Sequence, residues 1–123
     1  MLTIQKTVSF DAAHFLPRHD GKCRGLHGHT YSVTAIVSGR IINTGPKTGL
    51  IMDYHDLGDI MKKHIGVLDH RVLNDIFENP TSELMAVELY KLMAPEVMAE
   101  SCDRRLVAVR VSETPSSTAE YRP

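Results

Sequence analysis

The chain opens with a row of residues that only a strand can use. Leu2, Ile4, Val8 and Phe10 sit at even positions, with Thr3, Gln5, Thr7 and Ser9 between them. A period of two sends these sets to opposite faces, so residues 2–10 read as a half-buried strand. The even row continues through Ala12 and ends on a histidine, His14. A strand with one apolar face needs a neighbour to pair with and a layer to cover it. Residues 30–38 supply a neighbour, with Tyr31, Val33, Ala35 and Val37 on one face. Residues 106–114 are the clearest strand, with Val107, Val109 and Val111 on one face, and a short final strand from about Ser117 to Tyr121 follows the turn at Pro115.

The covering layer lies between these pairs. Asp53 is placed to cap a helix whose apolar side is Leu57, Ile60, Met61, Ile65 and Leu68, with His64 at the same spacing; Gly58 and Gly66 weaken it. Residues 69–80 read as irregular. Thr81 or Ser82 caps a second helix, with Glu83 favourable in its first turn. Its stripe is Met85, Leu89, Leu92 and Met93, and Pro95 is expected to end or kink it. These methionines read as core. The segment 15–28, with Pro17 and three glycines, reads as a loop, and NTGPKTG (43–49) as turn chemistry within one domain, residues 1–123. The order strand, strand, helix, helix, strand, strand predicts an α+β fold: a four-stranded antiparallel sheet with two helices on one face. Its open edges predict a homo-oligomer.

Composition narrows the function. A formal net charge of -1 without a basic run argues against nucleic-acid binding. No apolar run approaches the roughly 20 residues of a membrane helix. The N-terminus lacks a signal-peptide layout, so a cytoplasmic location and free thiols at Cys23 and Cys102 are the expectation.

Of the seven histidines, His27 and His29 carry the strongest signal. At i and i+2 in extended chain they project the same way, and Gly28 between them leaves room for a shared ion. Catalytic zinc takes three protein ligands and keeps one position open. His14, closing the inward row of the first strand, is the best third ligand. The pattern is also compatible with ordinary surface or core histidines; His19, His55 and His64 have no such pairing. Cys23 lies four residues before His27, flanked by Lys22 and Arg24, cations that favour thiolate. It can be read as a fourth ligand, a nucleophile or a general base, and a catalytic thiol is the better reading. Asp69-His70 can act as a proton relay or lie as a solvated pair. Glu113 continues the row of Val107, Val109 and Val111. It reads either as a strand emerging into solvent or as a pocket carboxylate gripping N–H donors.

Together, FDAAH (10–14), CRGLHGH (23–29), TGLIMDYHDL (48–57), LDHRVLND (68–75), NPTSE (79–83) and Glu113-Thr114 resemble the 6-pyruvoyltetrahydropterin synthase family. The three residues between Cys23 and His27 resemble its carboxytetrahydropterin branch, which serves queuosine biosynthesis. The resemblance implies the T-fold in closed oligomers, usually hexamers, with active sites between subunits. It implies Zn2+ held by His14, His27 and His29, Cys23 as proton acceptor assisted by Asp69 and His70, and Glu113 as pterin anchor. The implied reaction converts 7,8-dihydroneopterin triphosphate to 6-carboxytetrahydropterin, releasing triphosphate and acetaldehyde. Lys22, Arg24 and Arg18 are candidates for the triphosphate. The first rival is a 6-pyruvoyltetrahydropterin synthase, which keeps the three-carbon side chain. A rival of another class is a non-catalytic, zinc-stabilised oligomerisation module, in which Cys23, Asp69, His70 and Glu113 share no purpose.

Overall fold

The computed structural model describes residues 1–123. Its elements are β1 (Thr3–His14), β2 (His27–Ser38), α1 (Tyr54–Ile65), α2 (Ser82–Met98), β3 (Arg105–Thr114) and β4 (Ser117–Tyr121). The strands form one antiparallel sheet in the order β1-β2-β3-β4. Both helices pack on the face that carries Phe10, Tyr31, Val33, Ala35, Val37, Val109 and Val111. The opposite face is polar, with cross-strand bonds such as Thr7–Thr34 (2.7 Å) and Arg110–Glu120 (2.6 Å).

Local chemistry sets the helix starts. Asp53 accepts the His55 N–H at 2.7 Å, and Thr81 accepts the Leu84 N–H at 3.1 Å, each satisfying an orphan donor of a first turn. Four expectations need correction. β2 starts at His27, so the last two residues of the expected loop already belong to the sheet. α2 runs three residues past Pro95, because Ala94 and Val97 are buried against the sheet and an exposed proline in the last turn removes a single backbone bond. Leu92 is 49% exposed, outside the core stripe of Met85, Ala86, Leu89, Met93, Ala94 and Val97.

The fourth correction is at Val107. Val37 pairs with Leu106 and Ile36 with Ala108, so Val107 is an extra residue, a β-bulge. The bulge resets the alternation, and Leu106, not Val107, shares the core face with Val109 and Val111.

Candidate metal centre and its surroundings

Register places the histidines. His14 is paired with His27, Ala12 with His29 and Phe10 with Tyr31. Cross-strand partners share a face, so all three imidazoles stand on the core face at one end of the sheet. Phe10 and Tyr31 stack below them, centroids 5.0 Å apart. The imidazole centroids are 4.5, 5.1 and 4.9 Å apart, each ring edge-on to the others. One nitrogen from each lies within 4.8 Å of the others.

The tautomers follow from the hydrogen bonds. His14 Nδ1 bonds the Pro80 carbonyl at 2.8 Å, and His27 Nδ1 bonds the Gly25 carbonyl at 2.7 Å. A carbonyl only accepts, so both Nδ1 atoms carry the proton and, in the neutral rings, both Nε2 atoms present lone pairs. Those atoms face each other at 3.0 Å. His29 Nε2 is buried without a hydrogen-bond partner. Burial lowers the His29 pKa, and the neighbouring His14 and His27 lower it further against the opposing pull of Glu113, which favours the neutral form that binds metals. Converging lone pairs with carbonyls behind them fit a divalent cation.

Glu113 follows Val111 toward this end of β3, and its Oε2 lies 3.8 Å from His29 Nε2. It is therefore at the site, half-buried, and not a residue lost to solvent. Tyr31, fully buried beside it, has a hydroxyl without a partner and a raised pKa, chiefly from burial and secondarily from Glu113. Cys23 sits half-buried on a single 3-10 turn, Lys22–Arg24, whose Cys23 carbonyl accepts the Leu16 N–H at 2.8 Å. Its thiol is outside the three-histidine group. Cys102 is exposed.

Asp69 and His70 are brought together but placed elsewhere. Asp69 Oδ2 lies 3.0 Å from His70 Nδ1, and Asp69 Oδ1 accepts the Asp11 N–H at 3.0 Å. These two bonds, the Asp11 N–H first, hold the Asp69 carboxyl below the usual carboxylate range. Residues 70–74 run along the outer edge of β1: His70 N–H bonds the Asp11 carbonyl (2.6 Å), Ala13 N–H bonds the Arg71 carbonyl (3.0 Å), and the Asn74 amide bonds both backbone groups of Phe15. Asp11 and Thr30 lie on the face opposite the metal group, lining an open groove with Gly28, His70 and Arg71. Gly28 thus clears this groove and not the ion's space, because alternation turns position 28 away from His27 and His29. Sequence reasoning passed over Asp11, Thr30, Asn74 and the Pro80 carbonyl, although all but Thr30 lie inside the motifs FDAAH, LDHRVLND and NPTSE. No helix of the structure is long and apolar enough to cross a membrane.

The model of the family described as "6-pyruvoyl tetrahydropterin synthase" matches residues 3–123. The chain belongs to this family. Among the family's curated proteins, it is 41% identical to the 6-carboxy-5,6,7,8-tetrahydropterin synthase of Synechocystis sp., over 98% of this chain and 93% of that one. It is 36% identical to the Haemophilus influenzae protein of the same name, over 99% of each. Among solved structures of the family, the Caenorhabditis elegans 6-pyruvoyl tetrahydropterin synthase superposes with a TM-score of 0.81 at 27% identity, over 99% of this chain and 95% of that one. The four-stranded sheet with two helices on one face is the T-fold of this family.

Proposed function

We propose that this chain, a single T-fold domain, is a zinc-dependent 6-carboxytetrahydropterin synthase. It converts 7,8-dihydroneopterin triphosphate and water to 6-carboxytetrahydropterin, triphosphate and acetaldehyde, the implied context being queuosine biosynthesis. The observation that carries the reading is the convergence of one ring nitrogen from each of His14, His27 and His29 beside Glu113. The names of the two bacterial relatives support the carboxy product over the pyruvoyl one.

His14, His27 and His29 hold the ion, with the protein leaving the remaining position to substrate. Zinc, when bound, supplies Lewis acidity toward the hydroxyl and carbonyl oxygens of the substrate side chain. Glu113 accepts two parallel hydrogen bonds from the amino-pyrimidine edge of the pterin, fixing its orientation. Cys23 takes a proton from side-chain carbon next to the ring. His70, oriented by Asp69, returns a proton at another carbon. Lys22, Arg24 and Arg18 are available to the triphosphate. Because Asp69-His70 stands at the outer edge of β1, in a group separate from this chain's own three histidines, the pair serves the metal centre of a neighbouring subunit. A closed homo-oligomer, the hexamer implied by the family, supplies that neighbour.

The test is incubation with 7,8-dihydroneopterin triphosphate and mass spectrometry of the products. Acetaldehyde together with a carboxy-pterin supports the reading. A pterin retaining the three-carbon side chain identifies a pyruvoyl synthase, and unchanged substrate identifies a non-catalytic module.

A further inference from the structure

We propose that the Thr30 hydroxyl, by restraining the Asp11 carboxylate, is a positioning group for the Asp69–His70 pair. The proposal rests on the reading of that pair as a proton-transfer unit.

The pair has little of its own to hold it. It follows a 3-10 turn, Gly66–Leu68, and is exposed, and His70 has a φ of 58°, a left-handed conformation that a side-chain-bearing residue keeps only when its surroundings impose it. Asp11 imposes it from one position on β1. Its carbonyl takes the His70 N–H, and its N–H takes one oxygen of the Asp69 carboxylate. That leaves the other Asp69 oxygen for His70 Nδ1.

The same residue also brings a hazard. A carboxylate oxygen of Asp11 and the ligand atoms of Asp69 and His70 lie within 4.8 Å of one another. A free Asp11 side chain can therefore compete with Asp69 for the imidazole N–H, or repel its carboxylate. Thr30 prevents both. Its hydroxyl donates to Asp11 Oδ1 at 2.6 Å and ties that oxygen to β2. With Asp11 restrained, His70 keeps one partner and one orientation. Thr30 adjoins His29, so the strand that carries the metal ligand also carries the restraint.

The test uses Thr30→Val, which keeps the shape and removes the donor, and Thr30→Ser, which keeps the donor. In the zinc-loaded oligomer, Thr30→Val lowers kcat by about tenfold or more, the scale of a small misplacement of a reacting group, with KM and zinc content unchanged. Thr30→Ser restores kcat. In an Asp11→Ala background, adding Thr30→Val causes no further loss, since Thr30 acts through Asp11. A wild-type kcat in Thr30→Val, or an equal loss with and without Asp11, overturns the proposal. If the unmodified protein does not turn over the pterin triphosphate, the functional reading fails, and the rate of His70 carbethoxylation by diethyl pyrocarbonate decides the positioning. A severalfold change in Thr30→Val that Thr30→Ser reverses supports it; equal rates in all three proteins overturn it.

Discussion

The Nε2 atoms of His14 and His27 stand 3.0 Å apart, each on a ring whose Nδ1 is bonded to a backbone carbonyl. Two acceptors at that distance repel unless a cation lies between them. One zinc per chain is expected, at about 2.0–2.1 Å from each ring nitrogen. X-ray absorption on the zinc-loaded protein checks the distances, and elemental analysis of His27→Ala should find the metal gone. Full occupancy in that variant removes His27 from the ligand set.

Cys23→Ala is expected to keep its zinc and lose turnover by roughly 10²–10⁴-fold, the usual contribution of a positioned general base. The thiol lies outside the histidine group, and three imidazoles already make a catalytic set. Metal content and product formation are measured on the same sample. Loss of zinc would make Cys23 a ligand, and near-normal turnover would move the base elsewhere, first to His70.

Subunits carrying His27→Ala and subunits carrying His70→Ala are each expected to be inactive. Refolded together they should regain measurable turnover, because a mixed oligomer contains sites with an intact metal group from one chain and an intact Asp69–His70 from another. The structural basis is the placement of Asp69-His70 at the outer edge of β1, in a group separate from the three histidines. Light scattering of the wild type should show no active monomer. An active monomer, or a mixed oligomer without activity, contradicts the shared site.

The helices predict an acid dependence. Glu96 on α2 bonds His64 at 2.8 Å and also pairs with Lys63, both on α1. Lys63 first and His64 second hold the Glu96 carboxyl below its ordinary 4.5. A depressed folded-state pKa gives stability that is present above the unfolded value and lost as pH falls through the folded one. Glu96→Gln should therefore lower stability at pH 7 by about 0.5–1 kcal/mol, as expected for a partly exposed pair. The difference from wild type should vanish in acid below that range. Thermal melts across pH 3–7 check this; parallel curves for the two proteins would mean the pair contributes nothing.

The strands and helix caps were legible because they are local. Alternation in residues 2–14 marks the face that ends on His14, Asp53 and Thr81 announce their helices, and Ser117–Tyr121 has the expected bounds. The failures came from distant partners. Val107 obeys the alternation of its own strand and loses its place because β2 pairs around it. Leu92 has the spacing of a core residue, yet the sheet meets α2 through Leu89 and Met93. His14, His27 and His29 were readable as a set because pairing of β1 with β2 follows from adjacency in the chain. The position of Asp69-His70 was not, because it depends on residues 70–74 lying against the edge of a strand almost 60 residues earlier.

His14 is 1% exposed, and the aromatic stack of Phe10 and Tyr31 continues directly from the imidazoles into the apolar interior. A metal held by these histidines would be bound by the same packing that folds the chain, which would link metal affinity thermodynamically to conformational stability. An ion that binds only the folded form raises its stability by RT ln(1 + [L]/Kd), about 2.7 kcal/mol at a hundredfold excess over Kd. A melting curve recorded against free zinc therefore measures the affinity of the site with no substrate present. By the same linkage, a core substitution that loosens β1 against β2 is expected to weaken zinc binding as well.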